Sequence, residues 1–198
     1  MNKLILKGIL RNIRPSHTIG GIAYDQADII CARDAIHSDS LSLKFKKYCN
    51  KYNDGDMIEI SGNIRSYSEK LKNGKNKVNL YVFTYFDLPD IDATNHFEVD
   101  GRICKIDELR YTSSGKCSIH FIVANNLIIE ETNQKLNSYL PCIAWGNLAR
   151  RIAELHVNDK ILITGEFHSR EYKKKLDNDE YEFKVAHELF VKSFEVLS

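Results

Sequence analysis

Apolar residues recur at every second position through much of this chain. Ile58, Ile60, Gly62 and Ile64 alternate with Glu59, Ser61, Asn63 and Arg65, and Ile161, Ile163, Gly165 and Phe167 alternate with Leu162, Thr164, Glu166 and His168. A period of two turns one set toward a core and the other outward, so both segments read as half-buried strands with a glycine at the same depth. A glycine inside a strand marks a bend or a close backbone approach, which a small, strongly coiled barrel needs. Each strand runs into a polar hairpin tip, Leu71 to Asn76 and Lys175 to Glu180, and then into a final strand, Lys77 to Asp87 and Tyr181 to Val196.

The segments upstream repeat as well. Each half opens with a strand (Lys3 to Arg14; Phe97 to Ile106), then a second (Ala23 to Arg33; Lys116 to Asn125) and a shorter third (Ser40 to Phe45; Tyr139 to Trp145). Asn147 to Leu155 predicts a helix, with Asn147 as N-cap and Leu148, Ile152 and Leu155 on one face; Lys46 to Tyr52 is a weaker counterpart. Three strands, a short helix and two strands is the order of an OB-fold, so the expected class is all-β: two tandem five-stranded Greek-key barrels, each with a short helix between its third and fourth strands. Asp56 and Asp159 each stand six residues before their glycine, while the spacing from Gly101 to Gly165 exceeds that from Gly8 to Gly62 by ten residues, which one enlarged surface loop would accommodate. The proline-containing segment after the first copy sets the division: residues 1–88, a linker at 89–96, and residues 97–198.

Composition narrows the classes of function. Lys and Arg total 28 against 27 for Asp and Glu, so any polyanion site must be a local basic face. The five cysteines lack a Cys-x-x-Cys spacing and read as reduced core thiols of a cytoplasmic protein. No apolar run approaches the roughly 18 residues of a membrane span, and no leader with a small-residue cleavage site is present. The seven histidines form no metal spacing, and there is no phosphate-cradling glycine loop or nucleophile elbow. The expectation is a protein that is not an enzyme and has no cofactor or metal.

The second half carries a family resemblance. Val99 to Ile103, Glu108 to Lys116, Phe121 to Asn126, Tyr139 to Gly146 and Gly165 to Tyr172 follow one another in the order and spacing of bacterial single-stranded DNA-binding proteins, over Phe97 to Ser198. The first half resembles them only in fold and in the run from Gly55 to Tyr67. Two such copies resemble the tandem-barrel members of clostridia, related Firmicutes and their mobile elements. The resemblance implies sequence-independent coating of single-stranded DNA in replication, recombination, repair or conjugative transfer, by aromatic faces for bases and cations for phosphates. It places Tyr139, Trp145 and Tyr172 at stacking positions, with Arg102, Arg110, Lys116, Arg150, Arg170 and Lys173 around them. Leu127-Ile128-Ile129 stands where the family often has an aromatic. Arg65 and Tyr67, which match His168 and Arg170, and Phe45, near the place of Trp145, are the first-copy candidates.

Other readings stand beside these. Trp145 could cap the barrel core, and Lys173 to Lys175 could be a solvated hairpin tip. Tyr81, Phe83 and Tyr85 alternate outward from Leu80, Val82, Thr84 and Phe86, and Phe190 and Phe194 recur on the equivalent face. An interface is preferred to a DNA track for these five rings. A homodimer would bury them and present four barrels. The fuller motif predicts most DNA affinity in the second half. The chain stops at Ser198, without the acidic tip by which the family recruits partners. The alternative function is an OB-fold interaction module of a replication, primosome-like or transfer complex with little DNA affinity.

Overall fold

The computed structural model describes residues 1–71, 74, 76–89, 91–129, 134–175 and 181–197. The first half forms β1 (Asn2–Ile19), β2 (Ile22–Ala32), β3 (Ser38–Lys46), β4 (Met57–Lys70) and β5 (Asn76–Phe83). The second forms β6 (Asn95–Ile106), the two-residue β7 (Arg110–Tyr111), β8 (Cys117–Ile129), β9 (Gln134–Trp145), α1 (Gly146–Ala153), β10 (Lys160–Lys175) and β11 (Tyr181–Val196). β1 pairs with both β2 and β4, and β3 meets β5 in parallel, so the first barrel closes. β6, β8, β9, β11 and β10 repeat that circuit, with β9 and β11 as the parallel pair. The expected tandem OB-folds are therefore present. β1 also pairs antiparallel with β6, from Asn2 opposite Val99 to Leu6 opposite Asn95, which joins both barrels into one sheet.

The period of two is realised as burial. Leu4, Leu6, Ile60 and Ile64 fill the first barrel, and Phe97, Val99, Ile163 and Phe167 fill the second. Each such side chain removed from water stabilises the fold by about 1.5–3 kcal/mol. The repeated glycines answer a steric demand: a Cβ on Gly62 would lie 2.7 Å from the Phe83 carbonyl oxygen, and one on Gly165 would be closer still to that of Phe190. The barrels also share a polar clamp. Asn2 donates to the Ile64 carbonyl at 2.7 Å and accepts its N–H at 2.8 Å; Asn95 does the same to Phe167 at 2.8 and 2.9 Å.

Several local expectations change. The ten additional residues are not in one loop: strand registers place one before β8, five in the β8–β9 hairpin and four around α1. The first copy, lacking those four, has only a single 3-10 turn at Lys47–Cys49. Asn147 does not cap α1, which starts at Gly146 after extended Trp145; its side chain instead accepts from Arg150 at 3.3 Å. β5 ends at Phe83 because the Thr84 hydroxyl donates to the Ser61 carbonyl and accepts the Phe86 N–H, turning the Phe86 ring inward against Phe45 and Tyr52. Cys31, Cys117 and Cys142 are core thiols, and burial pushes Cys31 up to about 12. Cys104 is exposed, its thiol 3.4 Å from the Ile122 carbonyl. The tips at residues 72–73 and 176–180 lie outside the described residues.

The barrels grip each other through their hairpins. On one side Asp39, at the start of β3 and 0% exposed, accepts from Arg33, from His168 Nδ1 at 2.8 Å and from the Ser169 N–H at 2.6 Å. The Ser169 hydroxyl accepts the Ser40 N–H at 3.0 Å. On the other side the Ser66 hydroxyl accepts the Tyr139 N–H at 2.8 Å, the same bond with the barrels exchanged.

Candidate nucleic-acid interface

Alternation along β2, β3, β4 and β5 points Tyr24, Lys44, Lys46, Arg65, Tyr67 and Tyr81 away from the first core, because Ala27, Leu43, Phe45, Ile64 and Val82 point into it. These outward side chains line a cavity of about 490 Å³ together with Phe83, Tyr85, the β1–β2 tip (His17, Ile19, Gly20 and Ile22) and Leu136 of the second barrel. The rings form a staircase: His17 stacks on Tyr24 at 4.8 Å and 2°, Tyr24 lies 6.3 Å from Phe83, and Phe83 meets Tyr85 edge-on at 5.2 Å. The cations sit on the rings, with Arg65 3.8 Å over Phe83, Lys44 4.8 Å over Tyr67 and 4.6 Å over Tyr81, and Lys46 5.1 Å over Tyr85. None of the described residues lining this cavity carries a carboxylate. Burial pulls the Lys44 and Arg65 cations below their ordinary pKa values, with the Tyr81 and Tyr85 hydroxyls partly opposing it at Arg65. Such a cleft is matched to ring-bearing, anionic ligands.

The second barrel's corresponding face has a different balance. Trp145, half-buried at the end of β9, has the Lys116 ammonium 5.0 Å over its ring. Arg170 lies 5.9 Å over Tyr172 and 3.6 Å from Glu188. Arg110 lines a 260 Å³ cleft with Lys105, Asp107, His120, Pro141 and Glu188, and Lys105 pairs with Asp107 at 2.7 Å. Tyr172 lines a 240 Å³ cleft between the barrels that also reaches Lys77, Pro141 and His187. His168 lies between Asp39 and Glu166, at 2.8 and 3.2 Å, and Glu166 also holds Lys192. Here the cations are largely matched by acids of the chain itself.

The anticipated residues therefore separate. Trp145 with Lys116, and Arg170 with Tyr172, come together as ring and cation. Tyr139 is 48% exposed where the barrels meet. Lys173 stands 5.4 Å over Phe183, an exposed ring that the sequence reading passed over. Arg102 instead donates to the Asn158 carbonyl at 2.8 Å and Arg150 to Asn147, and neither lines a described cleft. Arg65 and Tyr67 both line the large cavity. Phe45 is corrected: it is 0% exposed and packs edge-on against Phe86, because the outward places on β3 belong to Lys44 and Lys46. The exposed-ring argument is corrected too. Phe83 is 5% exposed, Tyr81 and Tyr85 are half-buried under cations, Phe194 lies under Arg151 at 4.8 Å, and Phe190 meets His168 at 5.5 Å. Tyr24, His17, Lys44 and Lys46 were missed, although the alternation of Lys44 and Lys46 with Leu43 and Phe45 already marks a basic strand face.

Two OB barrels with aromatic and cationic clefts define a class of protein that binds oligonucleotides or oligosaccharides. The model of the single-strand binding protein family matches residues 94–196, slightly more than half of the chain, and the chain belongs to that family. Among solved structures, wild-type single-stranded DNA binding protein from Thermus aquaticus is similar at a TM-score of 0.72 and 19% identity, covering 100% of this chain and 93% of that one. A deletion mutant of the same Thermus protein gives a TM-score of 0.72 at 17% identity, covering 100% and 95%. Both likenesses extend the shared fold across the first barrel, which the family model does not reach. No curated protein sequence matches the chain significantly. Among the described residues no helix is long and apolar enough to cross a membrane, and no group of three His, Cys, Asp or Glu side chains could hold a metal.

Proposed function

We propose that the protein coats single-stranded DNA without sequence preference, in the cytoplasm, during replication, recombination or conjugative transfer, as a tandem-barrel member of its family related to those of Firmicutes and their mobile elements. The observation that carries this reading is the acid-free cavity of the first barrel, where three cations lie on aromatic faces. Bases stack on rings whatever their identity, and phosphates bring negative charge to a cavity whose described lining residues carry cations and no carboxylate. Trp145 with Lys116 and Tyr172 with Arg170 extend the contact to the second barrel. A role confined to protein interaction gives the first cavity no such ligand.

Anisotropy of labelled oligo-dT at several salt concentrations tests the reading. Three phosphate contacts in the first cavity alone predict a slope of about −2 for log K against log salt. Absence of binding at high micromolar protein would overturn the function. A homodimer is proposed from the barrel count alone, since it would present four barrels. Light scattering should then give twice the 22.8 kDa of one chain, and a monomer at tens of micromolar would remove this part.

A further inference from the structure

We propose that the first barrel's cavity is a composite site for an unpaired nucleobase, completed by the β8–β9 hairpin of the second barrel. The proposal rests on the single-strand reading above and assigns a role to a hairpin that departs from the family's pattern. That hairpin is where the second copy carries five additional residues, and it has aliphatic residues where an aromatic is common. Its second strand does not serve its own barrel alone: Leu136 on β9 lines the cavity whose rings and cations all come from the first barrel. The hairpin is seated where it matters, because the Tyr139 N–H is held by Ser66, the residue between the cavity-lining Arg65 and Tyr67.

The ligand class follows from the walls. Ile19 and Ile22 flank the β1–β2 tip and line the same cavity, so aliphatic side chains from two hairpins adjoin an aromatic floor under cationic rims. Aliphatic walls and ring faces suit the flat apolar faces of a base, while the cations suit the phosphates on either side of it. A paired base could not enter, since its faces are already stacked in the duplex. DNA in the first barrel would thereby touch both barrels, and its residence would depend on the second barrel's hairpin.

The test uses the full chain and a labelled oligo-dT in stopped flow. Leu136→Ser should raise the dissociation rate about tenfold, the loss of part of a leucine's apolar contact, with association rate and salt slope unchanged because no charge is altered. Asn137→Ala, an exposed neighbour on the same strand, serves as the control and should match the parent. A double-mutant cycle locates the effect: Leu136→Ser should be non-additive with Tyr67→Ala and additive with Trp145→Ala. A Leu136→Ser protein that folds and dissociates like the parent overturns the composite site, as does additivity with Tyr67→Ala. A parent that fails to bind oligo-dT would overturn the function itself, so the two failures are distinguishable. Ser66→Ala, which releases the hairpin without entering the cavity, gives the second variant and should also speed dissociation; no change there contradicts the seating.

Discussion

At matching places on the two barrels the first carries Arg65 and Tyr81, and the second carries His168 and Glu188. The strand registers fix these equivalences, because Ile64 faces Val82 as Phe167 faces Leu189. In the first barrel the set belongs to an acid-free aromatic cleft. In the second it belongs to a network of ion pairs with Asp39, Glu166 and Arg170. One fold thus carries two versions of the same face: a cleft lined by rings and cations with no carboxylate among its described lining residues, and one whose ion pairs include a contact that fastens the barrels together. The copy that matches the family model is not the one with the larger aromatic and cationic cavity.

The fastening gives the largest expected effect. Removing Asp39 by Asp39→Ala leaves His168 and Arg33 without their shared buried acceptor, and breaking a buried pair costs about 3–5 kcal/mol. A urea midpoint equal to the parent's would show that the barrels do not depend on this contact. Acid should act on the same group. Burial pushes the Asp39 carboxyl up, but hydrogen bonds from His168, Arg33 and the Ser169 N–H outweigh it and hold it well below the usual range. Its folded value lies below the unfolded value near 3.9, so its stabilisation is complete above about pH 4 and is lost as pH falls through the folded value. Asp39→Asn should flatten that acid limb. His187 acts in a higher window: burial lowers its pKa, only partly opposed by its bond to the Ser40 carbonyl. The unfolded chain therefore binds the proton first, and stability declines as pH falls below about 6.5.

The repeated glycines test whether the two barrels are equally strict. Gly165→Ala and Gly62→Ala each force a methyl group against the carbonyl of the next strand, and overpacking of this kind costs about 1–3 kcal/mol or more. The approach is closer at Gly165, so its variant should lose more in a chemical melt. Equal losses, or a larger one at Gly62, would show that the first barrel is the less able to give.

The DNA-binding comparison comes next in size. Tyr67→Ala should weaken oligo-dT binding by about 1–3 kcal/mol, and Trp145→Ala by less, measured by anisotropy in the full chain. Lys44→Gln should reduce the salt slope by about one contact. The opposite ranking of Tyr67 and Trp145 would return the principal contact to the second barrel, as its fuller motif first suggested.

Much of the fold was legible because it rests on local patterns. The alternation through Ile58 to Ile64 and Ile161 to Phe167, the paired glycines and the strand order all survive in the structure. What escaped depends on contacts between distant residues. Tyr81, Phe83 and Tyr85 were rightly placed off the barrel core, yet the cations covering them come from β3 and β4, which periodicity alone does not bring to β5. The Asp39–His168 contact joins residues 129 apart and leaves no motif. Phe45 misled because a shift of one residue along a strand exchanges the core for the surface.

The smallest effect concerns the place equivalent to Asp39 in the other crossing, which is Ser138. Its hydroxyl is buried without a hydrogen-bond partner among the described residues, as is Arg65 Nε at the place equivalent to His168. The two crossings share the serine-to-backbone bond, Ser66 to Tyr139 and Ser169 to Ser40, but only one adds a buried ion pair. Ser138→Ala removes an unsatisfied oxygen and keeps the shape of the site, so it should be neutral or stabilise by up to about 1 kcal/mol. A melting curve set beside that of Asp39→Ala makes the contrast direct, since the same structural position should be indispensable on one side and dispensable on the other. Destabilisation of Ser138→Ala by more than about 1 kcal/mol would mean that this hydroxyl has a partner after all, and the two crossings would then be more alike than their charges suggest.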